Sequence, residues 1–308
     1  PKVQSHAATA VVNFVDECDR KYVEPYLDHI LTKLLNLLRT GRRYVQEQSL
    51  SAISAVADCA EHLFQKYYDA IIPFLKQILL NANGKQDRML RARAIECVSL
   101  IGVAVGKEKF GKDAQEIMEL LMRTQQGGFE DDDPQYQHIL QAWSRIAKCL
   151  GPDFVPYLNY VMPPLLKSAE LQPDVIVTDI EDEDDLDEEE GMESFTLTLK
   201  GSGAKKISIR TSTLEEKGLA CNMLFTYVAE LKEHFLPFIE PVAKVMIPLL
   251  KFPYWEDIRE TAATIMPQLL NSIKFSAEKK LCDAQLLKQL LDGIFPQLVD
   301  AIKTEMEV

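Results

Sequence analysis

Pro25-Tyr26-Leu27-Asp28 is echoed by Lys66-Tyr67-Tyr68-Asp69, by Pro156-Tyr157-Leu158-Asn159 and by Pro237-Phe238-Ile239-Glu240, each at the head of an apolar helical run. The last residues of the first two phrases stand 41 positions apart, and Val3-Gln4 returns as Val45-Gln46 after 42. Asp69 to Asn159 is 90 residues, two intervals with an unmarked unit between them. Asn159 to Glu240 is 81, one interval plus an insertion of similar length. A repeat in the forties that carries two helices marks a HEAT-type or armadillo-type solenoid. Such an array usually works through a surface, so faces and charge matter more than pockets.

The helix that precedes the second phrase shows the pattern best. Val45, Ser49, Ala52, Ile53, Val56 and Ala60 follow i, i+4, i+7, i+8, i+11 and i+15, one face of a 3.6-residue helix. Most are small, which lets a neighbouring helix approach closely. The next run carries Tyr67, Tyr68, Ile71, Ile72, Leu75, Ile78 and Leu79, and the short link between the two predicts antiparallel packing. The same reading pairs 2–18 with 22–40, 88–106 with 109–124, 134–150 with 154–170, 212–232 with 235–251, and 254–273 with 281–304. Asp133-Pro134 is a helix start, an N-cap carboxylate before Pro at N1. Gly41, Gly84 and Gly151 sit where helices should stop. Pro73, Pro163, Pro164, Pro248, Pro267 and Pro296 fall inside helical patterns and should kink or shorten them. Trp143, Tyr67 and Tyr68 read as core, and Trp255 as a residue of a short link.

Residues 172–211 break the pattern. Eleven acids and no base fall within 179–193, and without them the formal charge of −13 becomes −2. The densest part is Asp182, Glu183, Asp184, Asp185, Asp187, Glu188, Glu189 and Glu190. Phe195 to Lys200 and Lys205 to Arg210 alternate with period two around a Gly-rich centre, which predicts a small β-hairpin after a disordered acidic tether. Gly201-Ser-Gly203-Ala-Lys205-Lys206 lacks the spacing and the following helix of a phosphate loop. The expected organisation is therefore all-α, about six helical hairpins: four repeats over 1–171, the insert over 172–211, and two repeats over 212–308.

Composition narrows the function. An array near neutrality with one acidic segment has no basic stripe for nucleic acid and points to basic partners. No apolar run is long enough to span a membrane, and nothing reads as a signal peptide. The six cysteines form no CxxC pair and read as free buried thiols of a reducing compartment. The five histidines come no closer than 23 residues, so no metal site and no cofactor is expected. There is no Ser-His-Asp constellation or nucleotide loop, and no enzyme is expected. The chain opens on Pro1, and neither end carries a clear polar capping face, so the expectation is an internal stretch of a longer array.

Extended phrases carry a resemblance. Val3-Gln-Ser-His-Ala-Ala8, Tyr44-Val-Gln-Glu-Gln48, Ile95 to Phe110, Glu130-Asp-Asp-Asp-Pro134, Val161-Met-Pro-Pro-Leu-Leu166, Leu214-Glu-Glu-Lys217 and Pro248-Leu-Leu-Lys-Phe252 occur in order. They resemble the central part of nuclear import receptors of the karyopherin-β3 (importin-5) type, within the importin-β superfamily. The likeness weakens after about Lys274. It implies a HEAT-repeat receptor that shuttles between cytoplasm and nucleus and carries basic cargo such as ribosomal proteins and histones. It also implies release by Ran-GTP, bound mainly through repeats absent here, and contact with FG nucleoporins, with no direct nucleic acid and no membrane. In a HEAT array the second helices line the concave face. There Asp28, Asp69, Asn159 and Glu240 would form a polar ladder for cargo Lys or Arg, although acids near a helix N-terminus also simply favour the dipole. The acidic insert would steer basic cargo or compete with it, or be only a solvated loop. The rival reading on repeats alone is a scaffold subunit of the phosphatase kind.

Overall fold

In a computed structural model of the chain, helix α4 (Arg43–Ala60) buries Val45, Ser49, Ala52, Ile53, Val56 and Ala60. This is the face marked by the 3.6-residue spacing. Its small side chains let α1 (Lys2–Asp16) and α6 (Arg88–Val105) lie close on either side. The buried hydroxyls of Ser49 and Ser54 donate to the carbonyls of Val45 and Leu50 at 2.7 and 2.9 Å, so neither is left unpaired in the core.

The structure describes residues 1–126, 128–129, 133–173, 175–179, 192–199 and 203–305, which form two compact units, Pro1–Phe154 and Val155–Val308. In the first unit, α1 is followed by the short α2 (Arg20–Val23) and by α3 (Leu27–Thr40). Then come α4, α5 (Gln65–Asn81), α6, α7 (Lys107–Gln126) and α8 (Pro134–Leu150). First helices α1, α4, α6 and α8 pack side by side as one layer. Second helices α3, α5 and α7 cover that layer: α3 packs against α4, α5 against α6 and α7, and α7 against both α6 and α8. The heavy side chains sit between the layers: Trp143, Tyr68, Phe64, Phe110 and Phe154 are essentially fully buried. Burying side chains of this size is worth roughly 2–3 kcal/mol each and dominates the stability of the stack.

The second unit contains α9 (Leu158–Glu170), strands β1 (Val175–Asp179), β2 (Met192–Leu199) and β3 (Gly203–Arg210), then α10 (Thr211–Leu231), α11 (Ile239–Leu249), α12 (Glu256–Glu278) and α13 (Ala284–Glu305). The helix spans agree with the sequence-based ones to within a few residues. Asp133 caps α8, its carboxylate accepting from the backbone N–H of Gln135 at 2.9 Å, with Pro134 at the first helical position. Gly41 and Gly151 follow the last residues of α3 and α8. The prolines lie inside helices that continue past them, Pro248 only one residue before the end of α11.

A corner recurs. Immediately after a first helix the chain adopts φ 48°, ψ −129° at Glu61, φ 56°, ψ −128° at Gly151, and φ 46°, ψ −121° at Lys232. Each corner lies eight residues before Asp69, Asn159 or Glu240, so the repeated phrases are registered to a repeated backbone geometry. A 3-10 segment follows each corner and leads into the second helix.

The insert departs from its expected form. β2 and β3 are antiparallel, with Met192 opposite Arg210 and Leu199 opposite Gly203, so the hairpin is present and slightly longer than its alternating core. A third strand was not anticipated: β1 pairs with β3, Val175 opposite Ile209 and Asp179 opposite Lys205, giving the order β1-β3-β2. Val175-Ile-Val-Thr178 is β-branched throughout and favours a strand, whereas the neighbouring charge run suggests only a tether. The residues from Asp182 to Glu190 lie outside the described residues.

Candidate functional site

Second helices begin with an exposed turn, and this is where the repeated polar residues stand. Asp28, Asp69, Asn159 and Glu240 are all exposed, in the first turns of α3, α9 and α11 and early in α5. The sequence alone does not say what they touch. Asp28 accepts 2.5 Å from the Tyr67 hydroxyl and lies 3.0 Å from the Lys66 ammonium. Both partners belong to the next repeat. Those two donors, Tyr67 first, hold the Asp28 carboxyl below its ordinary range. Asp69 repeats the arrangement one unit on, its Oδ2 lying 2.7 Å from Nζ of Lys109. In the first unit Asp28 and Asp69 are thus joined by ion pairs that cross from one repeat to the next. Tyr67, expected in the core, is only half-buried because its hydroxyl reaches out to Asp28.

In the second unit the arrangement changes. Glu240 pairs with Lys244 of its own helix at 2.7 Å, which holds its carboxyl low without tying two repeats together. Asn159 stands exposed at the start of α9.

Below the first rungs lies a second network. Asp113 on α7 accepts from the Tyr68 hydroxyl at 2.9 Å and from Lys76 at 2.6 Å, and Lys76 also pairs with Glu116. Burial pushes the Asp113 carboxyl up, but the bonds from Lys76 and Tyr68 outweigh it and the net shift is downward. Burial and the Asp113 bond together drive the Tyr68 phenol far above its usual value.

Two cavities flank α5. One, of about 450 Å³, is lined by Leu38, Arg39, Phe74, Gln77 and Asn81, with Arg39 over the Phe74 ring at 5.5 Å. The other, of about 410 Å³, is lined by Pro73, Lys76, Leu80, Glu116, Glu119 and Arg123. Both are open furrows, and with Asp87 also lining the first and Gln77 the second, each offers carboxamide, carboxylate and apolar surface. Cys97, Cys149 and Cys221 are pushed by burial to about 12, 11 and 11, which keeps those thiols protonated. All six cysteines are free. Among the described residues no three His, Cys, Asp or Glu side chains gather as a metal site.

The sequence holds no direct sign that Lys66 and Lys109 pair with these acids, and it marks Tyr67 and Tyr68 only as core. A usable signal was present: Lys66 and Lys109 lie 38 and 40 residues after Asp28 and Asp69, close to one repeat.

The chain is similar to known proteins over most of its length. Residues 2–184 match the family model described as importin subunit beta-1-like, TPR repeats. The chain's own spacing, in the forties, is that of HEAT units rather than of the 34-residue TPR. It is 38% identical over 273 residues to importin subunit beta-3 of Saccharomyces cerevisiae, covering 88% of this chain and 24% of that protein. It is 33% identical over 299 residues to a probable importin-5 homolog of Dictyostelium discoideum, covering 96% and 26%. The crystal structure of Kap121p bound to Pho4p superposes with a TM-score of 0.84 at 34% identity, over 98% of this chain and 28% of that one. Kap121p bound to Nup53p gives 0.83 at 34% identity, over 98% and 27%. A Kap121p variant with three acidic residues changed to lysine, spaced by about one repeat, gives 0.84 at 35% identity, over 98% and 28%. The chain thus spans about a quarter of the length of the curated relatives it matches.

Proposed function

Because this chain belongs to the importin-β family, we propose that it is a cargo-binding segment of a nuclear import receptor. The receptor takes lysine- and arginine-rich proteins such as histones and ribosomal proteins through the nuclear pore and surrenders them to Ran-GTP. It shuttles between cytoplasm and nucleus, touches FG nucleoporins, and carries out no catalysis. Four repeats over 1–171 and two over 212–308 bind, with the acidic insert of 172–211 between them.

The observation that carries this reading is the pair Asp28 and Asp69, exposed carboxylates one repeat apart that each hold an ammonium group. A surface that binds two lysines of its own has the chemistry to bind those of a basic peptide. The relatives supply support: solved structures of Kap121p hold Pho4p, Nup53p or Ste12p.

The test is binding of a basic import peptide to this chain and to Asp28→Lys, Asp69→Lys and Glu240→Lys variants at two salt concentrations. Charge reversal at the ladder should weaken binding at least tenfold, and raised salt should weaken it further. Ran-GTP should compete in the full-length protein. Failure of the intact receptor to bind any basic peptide would leave a scaffold as the better reading.

A further inference from the structure

Each of the first two rungs is more than an ion pair. The Lys66 ammonium sits 3.0 Å from the Asp28 carboxylate and 4.8 Å from the centroid of the Tyr67 ring. The Lys109 ammonium sits 2.7 Å from the Asp69 carboxylate and 5.2 Å from the centroid of the Tyr68 ring. Carboxylate on one side and aromatic face on the other is a recognition site for a single ammonium group. It is built twice, from successive repeats, and its present occupant is a lysine of this chain.

We propose that Asp28 with Tyr67, and Asp69 with Tyr68, are two seats for lysine side chains of a bound peptide, and that Lys66 and Lys109 fill them until the peptide displaces them. This rests on the cargo-binding reading above and adds to it a built-in competitor. The two carboxylates are 78% and 79% exposed, so an incoming lysine can reach them. Exposed pairs of this kind are held weakly, and swapping one ammonium for another leaves the net charge of each seat unchanged. Lys109 is the better buried of the two internal lysines, 27% exposed against 58% for Lys66, so the Asp28 seat opens first.

The exchange has two consequences. Each internal lysine belongs to the repeat after its carboxylate, so displacing it cuts a tie between successive second helices, and occupancy is coupled to the joint between repeats. Packed helices lie about 8–10 Å apart and an extended peptide advances about 3.3 Å per residue, so lysines about three positions apart would fill both seats. A weakly basic chain with one lysine gains only one exchange and is discriminated against.

The probe is an otherwise neutral peptide with lysine at every third position, titrated against the whole chain by fluorescence anisotropy. A Lys66→Met, Lys109→Met pair should bind it roughly three- to tenfold tighter, since vacated seats need no exchange. Adding Asp28→Asn and Asp69→Asn should abolish that gain and leave binding weaker than in the unmodified chain. If the methionine pair binds no tighter while the asparagine pair binds more weakly, the seats take peptide without internal competition: this inference fails and the cargo reading stands. If neither pair changes binding, or no peptide binds, the cargo ladder fails and the inference with it. Thermal unfolding checks each variant, and a Lys66→Gln, Lys109→Gln pair replaces the methionines should they aggregate.

Discussion

The amine of Lys217 lies 2.9 Å from the carbonyl oxygen of Leu171, and it also donates to the carbonyl of Ala169. These carbonyls belong to the end of α9, on the near side of the insert, whereas Lys217 belongs to α10, on the far side. Ser168 donates to Glu216 at 2.7 Å beside it. The two helices are thus pinned across the root of the excursion, and the lysine charge complements the carbonyl end of a helix. The side chain is 1% exposed and packs over the Phe252 ring at 5.3 Å, and its burial lowers the amine pKa.

Lys217→Met retains the length of the side chain and removes both hydrogen bonds. Two carbonyls at a helix end then lose their partner in a dry site, at a cost of about 1–3 kcal/mol, partly offset by no longer burying a charge. Chemical denaturation should show the loss, and hydrogen exchange should localise it to the end of α9 and the start of α10. An unchanged midpoint would mean that packing, not the amine, closes the root.

Tyr68→Phe should cost about 1 kcal/mol, because Asp113 loses one of its donors while the ring stays buried. The sign of the pH dependence follows from the lowered carboxyl. With its folded pKa below the unfolded value near 3.8, Asp113 contributes stability that is fully present above that value and is lost as pH falls through the folded pKa. The difference between wild type and Tyr68→Phe should therefore be constant from pH 7 down to about 5 and shrink as the pH is taken well below 4. A difference that grows on acidification would place the effect elsewhere.

The helices were legible because their signal is local: the face of α4 from Val45 to Ala60 is written in spacing alone. The β2–β3 hairpin was legible for the same reason, through period-two alternation about glycines. β1 was not, since five residues beside a long acidic run carry too little pattern against that charge. The polar ladder was half legible. Its carboxylates recur at sequence intervals, but the donors to Asp28 and Asp69 come from the following repeat. Which lysine faces which acid depends on how neighbouring helices stack.

Thiol chemistry offers an independent check on burial. Cys97 is fully buried, and burial pushes its thiol up to about 12. Only about one molecule in ten thousand would carry a thiolate there at pH 8, from the definition of pKa. Iodoacetamide under native conditions should therefore leave Cys97 and the similarly buried Cys221 unmodified, while the half-buried Cys18 and Cys282 react first. Peptide mass spectrometry after brief labelling gives the order. Prompt labelling of Cys97 would show that α4, α6 and α8 part far more readily than their packing implies.

The repeated corner makes the last prediction. Glu61, Gly151 and Lys232 share one backbone conformation, with φ between 46° and 56° and ψ between −129° and −121°. A Cβ is disfavoured there, and a residue other than glycine carries about 1–3 kcal/mol of strain. Only Gly151 avoids it. Lys232→Gly removes that strain but increases the entropy of the unfolded chain by about 0.5–1 kcal/mol and gives up the amine that sits 5.9 Å from the Phe275 ring. It leaves intact the Lys232 carbonyl that accepts from Ser272, because that atom belongs to the backbone. The strain is the larger quantity, so Lys232→Gly should stabilise by up to about 1 kcal/mol, and Gly151→Ala should destabilise by about 1–2 kcal/mol. Nothing stands within 4 Å of a Cβ built at Gly151, so any loss there reports backbone strain rather than a clash. Opposite signs in urea denaturation of these two variants would establish that the repeat keeps its corner by packing at two sites and by glycine at the third.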